Sequence, residues 1–268
     1  VSSGSTLLGF SGGPEAVDAA IKGAPVRIIL TMTSEFASNI ITSAKLASAK
    51  GVTQQSPLAD RIKALKGAKI GITSAGSSTD QLIRFLLQKQ GMNPDKDVEI
   101  QALKTGPPML AALKQGTIDA VVLSPPTGEQ AVAGGYGVVL VNPMAGQVPE
   151  LKGMIFHLGS ANLKDIQSRP QLLTSAVKAI ARAQRLMKTD KAKAKELLRP
   201  HFKALDPKVF DLAYEDTAGA FPANPIPTKD SVEVALKFGA QFGQPVSVAY
   251  DKIVDPSIAQ AAVKALGS

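Results

Sequence analysis

Residues 67–142 read GAKIGITSAGSSTDQLIRFLLQKQGMNPDKDVEIQALKTGPPMLAALKQGTIDAVVLSPPTGEQAVAGGYGVVLVN. Apolar runs of strand length alternate here with helix-period patterns, which is the pattern of a parallel sheet wrapped by helices. Lys69–Thr73 reads as a strand. Ser77–Gln90 reads as a helix, because Leu82, Phe85, Leu86 and Lys89 recur at helical spacing along one face. Its first turn carries the capping-box spacing, Ser78 with Gln81, and Gly91 stands where a left-handed C-terminal residue is wanted. Val98–Leu103 predicts a second strand, Pro107–Gln115 a helix ended by Gly116, and Ala120–Leu123 a third strand. Thr127 and Gln130 repeat the capping-box spacing over a helix that stops at Gly134–Gly135, and Gly137–Val141 supplies a fourth strand.

The flanks extend this grammar. Upstream, Thr6–Phe10 predicts a strand, Pro14–Lys22 a helix ended by Gly23, and Val26–Leu30 another strand. Downstream, Gly153–Leu158 is strand-like and leads into helices at Gln171–Lys188, Lys191–Leu198, Lys208–Thr217, Lys229–Phe242 and Ser257–Leu266. Asp206–Pro207 and Asp255–Pro256 place a cap residue ahead of a first-turn proline, and Asn224–Pro227 reads as a rigid loop. The organisation expected is a first lobe beginning with residues 1–66, a βαβαβαβ lobe over 67–142, and a return to the first lobe with C-terminal helices over 143–268. Two strands plus one strand-like segment make a thin first sheet.

Composition narrows the function. The chain has 268 residues, 44% hydrophobic and 19% charged, which is the make-up of an ordinary globular protein with a sizeable core. With no cysteine, disulfides, thiolate metal sites and cysteine nucleophiles are excluded. Net charge is +8, but the basic residues are spread along the chain. Their densest run, Lys188–Lys203, reads as a solvated helix face with Lys191, Lys195 and Glu196 outward and Leu197 and Leu198 inward. Three tyrosines and no tryptophan supply base stacking poorly, so nucleic acid is not expected as a partner. No apolar run reaches the roughly 20 residues of a membrane span, and the first residues lack the order of a signal peptide.

Four strands end in small, polar turns that lead into helices: Ser11–Gly12–Gly13, Ser74–Ala75–Gly76–Ser77–Ser78, Thr105–Gly106 and Ser124–Pro125–Pro126–Thr127. In parallel α/β sheets such turns gather at the carboxyl ends of the strands, where ligands bind. Each exposes backbone N–H groups at a helix start, which suits a carboxylate, sulfonate or phosphate. No phosphate-loop or dinucleotide glycine motif is present. Catalytic groupings are thin. His157 lies in a predicted strand and His201 in a basic surface segment, so no catalytic residue is assigned, and no metal-ligand spacing or cofactor motif is found. Glu35 follows a strand near an expected lobe crossing, and Phe36, Tyr214 and Phe221 could form an apolar wall.

The succession LKGAKIGITSAGSSTDQLIRFLLQKQGMNPDKDVEI, AALKQGTIDAVVLSPP and GGYGVVLVN resembles the second lobe of solute-binding proteins of nitrate/sulfonate/taurine-type ABC importers. GFSGGPEAVDAAIKGAPVRIIL is similar to their first lobe and VDPSIAQAAVKAL to their C-terminal end. The resemblance implies a two-lobed α/β protein of the periplasmic-binding-protein type II class, each lobe a mostly parallel sheet flanked by helices. It also implies a β-α-β-α segment ahead of the point where this chain begins. It further implies a monomer in the periplasm, or lipid-anchored outside the cytoplasm, that captures a small organic anion in an inter-lobe cleft without altering it and delivers it to a membrane permease. Carried over by position, Ser11, Gly12, Gly13, Ser34, Glu35, Phe36, Ser74, Gly76, Ser77, Ser78, Thr105, Ser124, Pro125 and Thr127 would line that cleft. An enzyme of the same superfamily and the effector domain of a transcription regulator are the competing functions. The missing cysteines weigh against a pyrimidine synthase, and no helix-turn-helix is found in residues 1–36.

Overall fold

Ala120–Leu123 is buried along its whole length, as a central strand flanked on both sides must be. The computed structural model in which it lies describes residues 1, 3–243 and 248–267. Along the chain come β1 (Gly9–Gly12), α1 (Gly13–Ile21), β2 (Val26–Thr31), β3 (Asn39–Ser43), α2 (Ala44–Lys50) and α3 (Leu58–Lys63). Then follow β4 (Lys69–Ile72), α4 (Ser78–Lys89), β5 (Glu99–Ala102), α5 (Gly106–Gln115), β6 (Ala120–Leu123), α6 (Thr127–Ala133) and β7 (Gly137–Val141). The remainder is β8 (His157–Asn162), α7 (Leu163–Ser168), α8 (Pro170–Thr189), α9 (Lys191–Leu198), α10 (Pro207–Ala218), α11 (Lys229–Ala240), α12 (Tyr250–Ile253) and α13 (Ser257–Lys264).

These elements form two compact units. Unit 2 comprises Ala37–Val148 and Phe202–Thr217, and unit 1 comprises Val1–Phe36, Pro149–His201 and Ala218–Ser268. Residues 37–66 therefore group with the larger sheet instead of the first lobe, and a piece of the C-terminal region, 202–217, joins them. Unit 2 holds a five-stranded sheet in the order β5-β4-β6-β3-β7, and unit 1 a three-stranded sheet in the order β1-β8-β2.

Strand directions differ from the expectation of mostly parallel sheets. In unit 2, β4 runs parallel to β5 and β6, whereas β3 runs antiparallel to β6 and β7. In unit 1 both pairings are antiparallel. In unit 2 the difference comes from a strand with no sequence signal: β3, NIITS, is wholly buried and carries polar residues at Asn39, Thr42 and Ser43, so neither alternation nor a continuous apolar run marks it. The strand-like segment at Gly153–Leu158 is also displaced. Gly153 takes a left-handed turn, and the strand itself begins at His157.

Helix α8 shows why the packing follows the sequence. Leu173, Val177, Ala181, Gln184 and Met187 recur every three or four residues on its buried face. Leu173 and Val177 meet Ile29, Leu30, Ile258 and Ala259 in the core of unit 1. Gln184 is the polar member of that stripe. Its Nε2 donates to the carbonyls of Thr31 (2.8 Å) and Met32 (3.1 Å), where β2 ends and leaves acceptors without strand partners. In unit 2 Ile41, Met109, Leu113, Val121 and Ala131 form the equivalent core.

Two helix starts differ from the expected capping boxes. Helix α4 is capped one residue earlier, by Ser77, whose hydroxyl accepts from the Asp80 N–H, and α6 has no side-chain cap because Pro126 occupies that position. Along α9, Ala194 is the buried residue, while Leu197 is 51% exposed instead of turning inward.

Candidate functional site

Strands β4, β5 and β6 are mutually parallel, so their carboxyl ends share one edge of unit 2. Three of the polar turns leave from that edge, as the sequence indicates. After β4, the hydroxyls of Thr73, Ser77 and Thr79 bond to one another at 2.8 to 3.0 Å, and Ser77 Oγ also donates to the Ser74 carbonyl at 2.7 Å. The Ser77 hydroxyl is thus committed to holding the turn, while Ser74 is exposed. Gly76 has φ +76° and gives its N–H to Asp80 Oδ2 at 2.8 Å. Ser78, half-buried, opens α4. Asp80 in turn receives Arg84 Nε at 2.7 Å, and Arg84 reaches on to Asp95 at 2.8 Å.

After β5, Thr105 is exposed and caps α5 through its backbone only. After β6, Ser124 bonds Ser38 hydroxyl to hydroxyl at 3.0 Å, Pro125 precedes Pro126 through a cis peptide bond, and Thr127 packs against Gly106, where a Cβ would collide with its methyl group.

Next to this edge lies a polar cluster that the sequence did not announce. Asn39 opens β3 opposite Leu123, the last residue of β6. Its Nδ2 donates to Glu129 Oε1 at 3.0 Å and to Asp216 Oδ2 at 3.4 Å. Glu129 is 1% exposed, and its carboxyl is pushed up to about 7 by burial first, with the neighbouring Asp216 adding to the rise. Asp216 is raised too, again mainly by burial, with the Asn39 amide acting against the rise. Two carboxyls raised by burial around one amide favour a proton on Glu129 at neutral pH. The signal available beforehand was weak: a glutamate in the first turn of α6, where an exposed carboxylate is commonplace.

In unit 1 the predicted residues divide. Phe36 is fully buried, tilted against Phe156 with ring centroids 4.2 Å apart and edge-on to Phe238 at 5.5 Å, so it belongs to the core and not to a ligand-facing wall. Tyr214 is buried in unit 2 near Phe210, so the three aromatics proposed as one wall do not share a unit. Ser34 is tied to the Ala220 carbonyl through both its N–H and its hydroxyl, at 2.8 and 3.3 Å. Glu35 accepts from the Gly153 N–H at 3.4 Å, and burial raises its carboxyl despite Lys152 and Lys188.

Ser11 and Gly12, by contrast, line a hollow of about 370 Å³ together with Phe10, Met32, Thr33, His157 and Phe221. Gly13, beneath it, is buried, and a Cβ there would run into the carbonyl oxygens of Ile155 and Phe156, so only glycine lets α1 start so close to that chain. His157 and Thr33 supply the polar side of the hollow. Thr33 Oγ1 accepts the His157 backbone N–H at 3.0 Å and lies 3.2 Å from His157 Nδ1. We assign Thr33 as the donor to Nδ1, which places the ring proton on Nε2. Burial lowers the His157 pKa, so the ring is neutral at pH 7. Among the described residues, no group of three or more His, Cys, Asp and Glu side chains could hold a metal, and no helix is long and apolar enough to cross a membrane.

Comparison with known proteins agrees with this architecture. The model of the NMT1-like family matches residues 8–199, well over half of the chain. The nitrate/nitrite binding protein NrtA of Nostoc sp. is 31% identical over 133 residues, which cover 49% of this chain and 28% of that protein, so the chain spans under a third of that relative. Among solved structures, CAE31940 from Bordetella bronchiseptica RB50 superposes with a TM-score of 0.79 at 21% identity, covering 99% of this chain and 83% of that one. The alkanesulfonate-binding protein SsuA from Xanthomonas axonopodis pv. citri, bound to MOPS, gives 0.68 at 19% identity, covering 97% and 81%. At those identities the structures show a shared fold.

Proposed function

We propose, from the premise that the chain belongs to the NMT1-like family, that it is the solute-binding component of an ABC importer. In this role it holds a small organic molecule outside the cytoplasmic membrane and hands it unchanged to a permease. The observation that carries the proposal is the hollow of unit 1. It is about 370 Å³, lies where β1 passes into α1, and combines apolar side chains with a few convergent polar groups: Ser11, Thr33 and a neutral His157. The names of the nitrate- and sulfonate-binding relatives support the transport role, and the sequence supports it through the four helix-start turns. Ser11, Gly12 and Gly13 are proposed to contribute from unit 1, and Ser74, Gly76, Ser78, Thr105, Ser124 and Thr127 from the strand ends of unit 2. Thr33 and His157 stand in hydrogen-bond reach, but no acidic side chain that could orient the imidazole as a base lines the hollow among the described residues.

A thermal-shift screen of small carboxylates, sulfonates, amides and inorganic anions tests this. A solute that binds only the folded chain raises Tm by mass action, by about 2.7 kcal/mol of stability at a hundredfold excess over Kd. The expected result is a concentration-dependent rise with the solute recovered chemically intact. Conversion of the solute to a product would overturn the proposal in favour of an enzyme.

A further inference from the structure

Among the described residues, every side chain that lines the hollow of unit 1 is uncharged. Phe10, Met32 and Phe221 form an apolar surface, Ser11 and Thr33 carry hydroxyls, and His157 is neutral; among the described lining residues there is no lysine or arginine. Phe10 is 57% exposed, a large aromatic left in water on the edge strand β1, and it borders both this hollow and a second one of about 270 Å³ lined by Ala16, Ala19 and Val26. Burial of such a surface is worth more than any polar contact the hollow offers, because apolar area gains free energy in proportion to its extent while a neutral hydrogen bond largely replaces one with water. A bare oxyanion placed here would lose its hydration and meet no cationic side chain among the described lining residues.

Resting on the solute-binding proposal, we infer that the solute of this hollow is an aromatic or branched organic molecule recognised by its apolar body, with a single acceptor oxygen meeting His157 Nε2–H, and that the charge of that polar end matters little. The body lies against Phe10, Met32 and Phe221. The acceptor takes the one ring proton that Thr33 leaves unused. A carboxylate and its amide present the same acceptor to that proton, and without a cationic partner the carboxylate gains little from its charge.

The test is isothermal titration of the exhaustively dialysed protein at pH 7.5 with four probes: benzoate, benzamide, acetate and nitrate. Benzoate and benzamide are expected within about tenfold of each other, and each at least about tenfold tighter than acetate, a gap of about 1.4 kcal/mol. Nitrate is expected to give no heat of binding. Phe10→Ala, at an exposed position that leaves the core intact, should weaken both aromatic probes by about threefold to tenfold and leave acetate unchanged. Acetate or nitrate binding as tightly as benzoate, benzamide more than about tenfold weaker than benzoate, or no binding by any of the four would each overturn the inference. The solute-binding proposal fails on a different observation: natively purified protein that releases no small molecule on denaturation and shows no thermal shift across the broader screen.

Discussion

Glu129 and Asp216 share one donor inside unit 2: the Asn39 amide gives its protons to Glu129 Oε1 at 3.0 Å and to Asp216 Oδ2 at 3.4 Å. One carboxyl comes from the first turn of α6 and the other from the last turn of α10, so the pair fastens the 202–217 segment to the sheet it joins. The raised Glu129 carboxyl makes the arrangement possible, because a protonated Glu129 does not repel an ionised Asp216.

Stability should accordingly depend on pH at this pair. The Glu129 carboxyl is raised from 4.5 to about 7, so the folded state holds a proton that the unfolded chain has released. The associated stability is fully present below about pH 4.5 and is lost as pH rises through about 7. At about 1.4 kcal/mol per pH unit the upper bound is on the order of 3 kcal/mol. Glu129→Gln, which keeps an acceptor for Asn39 and cannot ionise, should be more stable than the parent at pH 8 and close to it at pH 5. Calorimetric Tm values at the two pH values check this, and an equal mutant–parent difference at both would refute the raised Glu129 carboxyl.

His157 acts in the opposite direction. Its pKa is lowered by burial, so the unfolded chain binds a proton that the folded chain refuses. Its contribution is complete above about pH 6.5 and declines as pH falls below that value through the folded pKa. His157→Asn should flatten the acid side of the Tm–pH profile while leaving the alkaline side to Glu129. An acid limb unchanged by the substitution would assign it elsewhere.

Two glycines should respond differently to the same replacement. At Gly13 a Cβ meets the carbonyl oxygens of Ile155 and Phe156, so Gly13→Ala should destabilise by about 1–3 kcal/mol through backbone displacement. At Gly76 the space is open, and φ of +76° alone opposes a side chain, so Gly76→Ala should cost about 1 kcal/mol. Urea unfolding of the two variants separates the mechanisms, since the reverse order of cost would contradict the close approach at Gly13.

Gln184 offers a check on unit 1. Its Nε2 satisfies the Thr31 and Met32 carbonyls at the end of β2, so Gln184→Leu removes a buried donor from two acceptors and should cost about 1–3 kcal/mol even though it adds apolar volume. A neutral or stabilising outcome in thermal unfolding would mean that those carbonyls find other partners.

Most of the fold was legible where periodicity and end signals coincide. Ala120–Leu123, Gly137–Val141 and Lys191–Leu198 fall where the sequence places them, because a continuous apolar run or a helical spacing is bounded by glycine or a cap. What escaped was set by tertiary contacts. Strand β3 is polar at both ends yet fully buried, since Asn39 and Thr42 find partners in Glu129 and the Asp119 carbonyl, and nothing local announces those bonds. With β3 missed, the antiparallel half of the larger sheet and the placement of residues 37–66 were missed as well. The site was legible only as backbone. The glycine-bearing turns stand at strand ends as expected, but Ser77 spends its hydroxyl within its own turn, Phe36 lies in the core, and the two polar groups that shape the hollow of unit 1, Thr33 and His157, meet across 124 positions of sequence.

The most direct test is native mass spectrometry of the protein as purified, followed by denaturation and identification of what is released. The chain should carry one small organic molecule per polypeptide and release it unmodified, with the apo mass restored and Tm lowered after removal. A mass equal to the bare polypeptide, in a protein whose Tm is unmoved by the screened solutes, would contradict the conclusion that these residues are built to hold a solute.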